Sequence, residues 1–363
     1  PYPYPYPYPY PYPYPYPSHL PLRPLAMAAI GRPSKKLSLK LAVEEQPADL
    51  FCVRFSEDNQ LVAAGCGDGV TRVYTLTGRL AFNLNADKAH GTFPVTCLRF
   101  RPNLGGSSRA RNMVIAASSD GSVRHWHLST QKCLHTIVEE GNEVYALDYA
   151  PDASAFATAG RDHTIRLYDE ATKEIKSKME GAGDGHSNRV FSLKFKADDP
   201  DIVLSGGWDN TVQIWDARVG SVVRSIYGPH VCGDAIDLAG DKILTGSWRE
   251  EDQLQLWDYG SGELLDTLPW SADDEAPPCF IYAAQFSADG RFVAAGGSGA
   301  NEAKVFVTDT HQVIGHVDSM EKGVFSIAFS PNDQYVGIGS GDNALRVMEL
   351  KDTVSRPPVA STY

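Results

Sequence analysis

The chain has 363 residues and a formal net charge of −12, from 33 Lys and Arg against 45 Asp and Glu, a balance that argues against a nucleic-acid footprint. No run approaches the ~18 consecutive apolar residues of a membrane-spanning helix. The six cysteines stand singly, with no CxxC pair; that argues against a disulfide framework or a zinc site and for a reducing compartment, the cytoplasm first, with the nucleus and cytoskeletal or ciliary structures left open.

Pro1 to Pro17 is an unbroken Pro-Tyr alternation. Every second residue lacks an N–H, so neither helix nor ladder forms, and an extended, polyproline-like backbone is expected. Such a segment is either without structure of its own or a ligand for an aromatic groove. Met27-Ala28-Ala29 has the form of a translation start, so the alternation is expected to be upstream sequence and residues 1–33 to be disordered. Ser34 to Glu45 alternates polar and apolar residues, a strand pattern with no sheet of its own nearby. The chain then falls into units of about 42 residues. Each unit holds short apolar runs separated by turn residues, which read as antiparallel strands. One position of the third run is held in turn by Tyr74, Trp126, Tyr168, Trp215, Trp257, Phe306 and Met348. Six residues before it stands an acid: Asp68, Asp120, Asp162, Asp209, Glu251 and Asp342, the unit of Phe306 having Ala300 instead. Asn103 to Asn112 and Ser271 to Cys279 interrupt the period and are expected to be irregular loops. The last unit ends at Leu350 without a fourth run, and residues 351–363 are expected to be disordered.

The fullest unit is Ser187 to Arg218. Gly185-His186 precedes it, Trp215-Asp216 closes its third run, and Ser221 to Tyr227 supplies a fourth. This pattern resembles a WD40 repeat, a four-stranded propeller blade. The resemblance implies an all-β, seven-bladed WD40 β-propeller over residues 34–350. It also implies a ring closed by the N-terminal strand, about 36–43, lent to the last blade, which removes an open edge. In blade four it implies a structural, hydrogen-bonded tetrad of His186, Ser205, Asp209 and Trp215. His90 and His230 precede blades two and five at comparable places, and Thr158 and Thr245 match Ser205. Blades three, six and seven lack the His, and Ala64, Ala116 and Ile338 replace the hydroxyl. The blades without the set are expected to rely on packing alone.

The sequence has no GxSxG, HExxH or P-loop. Its Gly-rich pieces, 65–69 and 296–299, fall where propeller turns need Gly and are followed by no helix that would cradle a phosphate. No catalytic residue, metal site or cofactor is therefore expected. The reading is a non-catalytic scaffold that binds peptide or protein partners on the propeller's top face within a multi-protein complex. A propeller enzyme or metal-dependent hydrolase is the rival from another class. Two features carry the expectation. One is a register in the first strand of successive blades: Phe51, Thr96, Tyr145, Phe191, Asp234, Tyr282 and Phe325. Its five aromatic rings should converge at the channel mouth. They either grip an Arg or Lys of a partner segment, as similar rings do in some family members, or fill the channel and contact one another. Arg161 and Trp208, each just before a turn Asp, are the expected exposed anchors beside them. The other feature is Val203 to Arg218, which resembles the box of substrate receptors of cullin-4 ubiquitin ligases. The resemblance implies an adaptor contact through Asp216 and Arg218.

Overall fold

The residue after the turn position has a positive φ in every unit: Gly69 (78°), Gly121 (83°), His163 (67°), Asn210 (60°), Asp252 (52°), Asn301 (50°) and Asn343 (63°). A left-handed residue there lets the chain reverse tightly between the second and third strands. Repeated seven times, the reversal builds the molecule. The computed structural model describes residues 35–44, 46–85, 92–103, 112–180, 183–271 and 276–352. The Pro-Tyr repeat, the start at Met27, His90 and the C-terminal tail lie outside the described residues, as do positions 104–111 and 272–275 of the two loops.

The described strands form seven four-stranded sheets, six of them taken from consecutive strands. The fold is the seven-bladed β-propeller that the repeat implied. The first strands of blades one to seven are Leu50–Phe55, Val95–Phe100, Val144–Tyr149, Val190–Lys196, Ile236–Ala239, Cys279–Phe286 and Val324–Phe329. The seventh sheet takes its outer strand from the front of the chain. Lys35–Val43 pairs antiparallel with Leu345–Asp352, Leu37 opposite Leu350 and Leu41 opposite Val347. Leu37 is buried in the core of blades six and seven. A Cβ on Gly315 would stand 2.3 Å from the Leu37 Cβ, so only glycine lets the outer strand of blade six approach this closely.

The seven third-strand residues, Tyr74 to Met348, are all buried, Trp215 and Phe306 completely. A second set of contacts runs round the channel. At each junction a side chain near the first strand of one blade bonds the backbone of the next. The bonds are Cys52 Sγ to the Val95 carbonyl (3.7 Å), Thr96 Oγ1 to the Val144 carbonyl (2.5 Å) and the Phe195 N–H to Asp148 (2.9 Å). They continue with the Ile236 N–H to Ser192 Oγ (3.1 Å), the Phe286 N–H to Asp237 (2.9 Å) and the Phe329 N–H to Gln285 (2.7 Å). The Val53 N–H to Ser326 Oγ (2.9 Å) joins blade seven to blade one. Backbone groups that the sheets leave unpaired at the channel thus find partners across every junction.

Candidate partner-binding site at the channel mouth

The mouth is built by one backbone irregularity repeated. In blades one, two, three, four, six and seven the pairing of strands one and two slips by one residue. The residue left over is Phe51, Thr96, Tyr145, Phe191, Tyr282 or Phe325. A bulge re-aims its extra side chain away from the ladder, and here it delivers the aromatic register to the mouth. Blade five differs: its first strand is only Ile236–Ala239, and Asp234 precedes it without a bulge.

The rings converge as two walls. Phe51 stacks on Phe325 at 5.4 Å between centroids, and Phe325 meets Tyr282 edge-on at 5.5 Å. Tyr145 stacks on Phe191 at 4.7 Å, and Phe191 lies 5.1 Å from Trp208. Thr96 and Asp234 hold the two register places between the walls. All five rings are half-buried. Arg161 is exposed and paired with Glu143 at 2.7 Å, and the same carboxylate accepts the Tyr145 hydroxyl. Trp208 departs from the exposed anchor expected of it. It is half-buried because the Arg189 guanidinium (5.2 Å), the His230 ring (6.4 Å) and Phe191 pack round it, and its Nε1 donates to Cys232 Sγ at 2.9 Å.

Three residues deeper along the first strands lies a charged layer: Arg54, Arg99, Asp148, Lys194 and Asp237. Asp234 reaches into it. Arg54 and Arg99 (2.9 Å) both donate to Asp234, Arg99 also to Asp148 (2.9 Å), and Lys194 to Asp237 (2.8 Å). The three cations and three anions balance. Burial works to lower the Lys194 pKa, but Asp237 and Asp148 outweigh it and hold it above the ordinary lysine value.

Sequence reasoning overlooked Trp248 and Phe280, which extend the aromatic surface: their rings lie 4.8 Å apart, and Trp248 Nε1 donates to the Tyr282 hydroxyl at 3.1 Å. Trp248 is the blade-five counterpart of Trp208. Its register is hidden because that turn is two residues longer, Gly246 pairing with Leu254 where Gly206 pairs with Val212.

Away from the mouth, His186 Nδ1 is 2.7 Å from Asp209, its Nε2 is 2.7 Å from Ser205 Oγ, and Trp215 Nε1 donates to the same hydroxyl at 2.7 Å. The expectation that the other blades rely on packing alone is corrected. Four of them place an arginine four residues after the turn acid: Asp68–Arg72 at 2.6 Å, Asp120–Arg124 at 3.1 Å, Asp342–Arg346 at 2.8 Å, and Asp162–Arg166. One turn residue and one third-strand residue thereby face each other, so the acid needs no His. Blade three adds a buried carboxylate, Glu139, which accepts from Thr158 (2.5 Å), Tyr168 (3.0 Å) and Asn142 (2.7 Å). Blade six uses Glu302, which accepts from Trp270 Nε1 at 2.6 Å and pairs with Lys304 at 2.9 Å. His230 turns instead to Asn210 at 2.7 Å. Asp216 and Arg218 form a two-pronged pair with each other, at 2.8 and 2.6 Å. Arg218 is exposed, as is Val219 next to it in the chain.

The family model of the WD domain, G-beta repeat, matches residues 40–75, 83–127, 131–169, 178–216 and 308–348. The longest unmatched span, 217–307, holds blade five, with its longer turn, and most of blade six, with its missing acid. The chain is 26% identical over 212 residues to a guanine nucleotide-binding protein subunit beta of Arabidopsis thaliana, covering 56% of this chain and 55% of that protein. It is 26% identical over 189 residues to the target of rapamycin complex subunit wat1 of Schizosaccharomyces pombe, covering 52% and 57%. It is 28% identical over 228 residues to the Polycomb group protein FIE1 of Oryza sativa subsp. japonica, covering 54% and 58%. The matched part spans 55–58% of the length of these three relatives.

Proposed function

The chain belongs to the WD40-repeat family, and from that premise we propose that it is a non-catalytic interaction platform that binds a partner segment carrying Arg or Lys at the channel mouth. Proteins of this fold serve as protein-interaction scaffolds, and two of the relatives are named as subunits, which supports a setting in a multi-protein complex. The observation that carries the reading is the repeated bulge, which aims five aromatic side chains from five blades at one place. Ring faces present negative potential and attract a cation by about 0.5–2 kcal/mol per contact. The net charge of −12 favours the same kind of partner. The stacking of the rings on one another also fits the rival reading, in which they only fill the channel. The free cysteines support a reducing compartment, and we place the protein in the cytoplasm on that ground.

Affinity purification with wild type and Phe191→Ala separates the two readings. A bound partner should be lost or weakened by about 2 kcal/mol, the scale of an interface hot spot, while the circular dichroism spectrum and melting temperature show that the variant is folded. Retention of every partner at wild-type affinity would leave the rings as a plug. A second surface is favoured by the exposed Arg218, which pairs with the half-buried Asp216, and by the exposed Val219 next to it in the chain. If it meets a ligase adaptor, Arg218→Ala abolishes adaptor capture and leaves mouth-dependent partners in place.

A further inference from the structure

Asp234 stands in the aromatic register, between Phe191 of blade four and Tyr282 of blade six, yet its bonds run across the channel. Arg54 belongs to blade one and Arg99 to blade two, and both donate to its carboxylate, Arg99 at 2.9 Å. Ser192 adds a weaker bond at 3.4 Å. The two arginine side chains are 13% exposed and Asp234 is 23% exposed. They line a small, partly open cavity of about 20 Å³, room for about one water, together with Lys194, Asp237 and Gln285. Burial works to raise the Asp234 pKa, but Arg99 and Arg54 outweigh it and hold the carboxyl below its ordinary value, so the group is charged at neutral pH.

The two guanidiniums are not equivalent. Arg99 has a second carboxylate partner in Asp148 at 2.9 Å. Arg54 has, among the described residues, only Asp234; its other bonds go to the carbonyls of Val53 and Ile327. With Asp234 charged, the floor of the mouth is balanced and the aromatic walls decide what enters. With that charge gone, Arg54 is a nearly buried cation facing the opening without a counter-charge, an arrangement stabilised by any anion that reaches it.

We propose that Asp234 sets the charge preference of the channel mouth: its carboxylate, held across the channel by Arg54 and Arg99, makes the mouth a site for a cationic side chain, and without it the same mouth takes an anionic one. The proposal rests on the mouth being the partner site. Two fluorescent peptides, identical except for a central Arg or Glu, test it on the full chain. Wild type should favour the Arg peptide. Asp234→Asn, which keeps the shape and an acceptor, should reverse the order, each affinity moving by about tenfold for one unit of charge. The double variant Arg54→Gln/Asp234→Asn should lose the preference for Glu. An unchanged Arg-to-Glu ratio in Asp234→Asn overturns the proposal. A second measurement needs no partner: acetate, against chloride at equal ionic strength, should raise the melting temperature of Asp234→Ala more than that of wild type, because it restores a carboxylate between the guanidiniums. No difference between the proteins overturns the charge role of Asp234. Acetate rescue in a protein whose wild type binds neither peptide overturns the mouth as partner site and supports that charge role.

Discussion

His186 has no exposed side-chain surface, so both of its ring nitrogens must be satisfied within blade four. Asp209 satisfies one, and also accepts from the Ser187 N–H at 3.0 Å and from Thr211 Oγ1 at 2.9 Å. The Thr211 N–H is a fourth donor to it, at 3.2 Å. Asp209→Ala therefore deprives four polar groups of their partner and should cost about 3 kcal/mol. Asp120→Ala should cost less, about 2 kcal/mol, because it strands the buried Ser122 alone, while Arg124 is 21% exposed and can turn to water. Melting temperatures compare the two; equal losses would contradict the polar-chain account. The loss should also depend on pH. Burial works to raise the Asp209 pKa, but the bond from His186 outweighs it and holds the carboxyl below its ordinary value. Stability of this kind is fully present above the unfolded pKa of about 3.9 and is lost as pH falls through the lower folded value. The gap between wild type and Asp209→Ala should accordingly narrow below about pH 4.

The closing strand is the element on which the ring depends. Its pairing with Leu345–Asp352 joins residues from opposite ends of the described chain, and Leu37 carries that pairing into the core. Deleting residues 1–26 touches no described residue and should leave the melting temperature unchanged. Deleting residues 1–43 removes the strand, bares the backbone edge of Leu345–Asp352 and should give aggregation or a large loss of stability. Closure by this strand would be wrong if the two truncations melt alike. The strand was legible in the sequence because an alternating segment without a sheet matched a last unit without a fourth run. The third-strand aromatics and turn acids were legible for a similar reason: a fixed offset recurs from unit to unit. The arginine four residues after the acid recurs as well, at Arg72, Arg124, Arg166 and Arg346, but its role shows only in the fold, where the turn brings the two side chains face to face.

What the sequence hid is what the closed ring creates. Arg54 and Asp234 are 180 residues apart, and Arg99 and Asp234 are 135 apart. No local pattern links them; they meet because blade five faces blades one and two across the channel. The seven junction bonds are non-local in the same sense, Ser326 reaching Val53 over 273 positions. The sequence placed the aromatic register but not its division into two walls, since that division follows from Thr96 and Asp234 standing where rings might have been. A scaffold whose channel is bound together in this way presents its mouth as a rigid surface and pays little ordering entropy on binding. The direct test of the mouth as the partner site is site-specific photo-crosslinking in the assembled complex. A photoreactive residue at Tyr282 should capture the partner, and the same residue at the exposed Leu134, on the outer strand Lys132–Val138 of blade two, should not. Capture from Leu134 with none from Tyr282 would contradict the account.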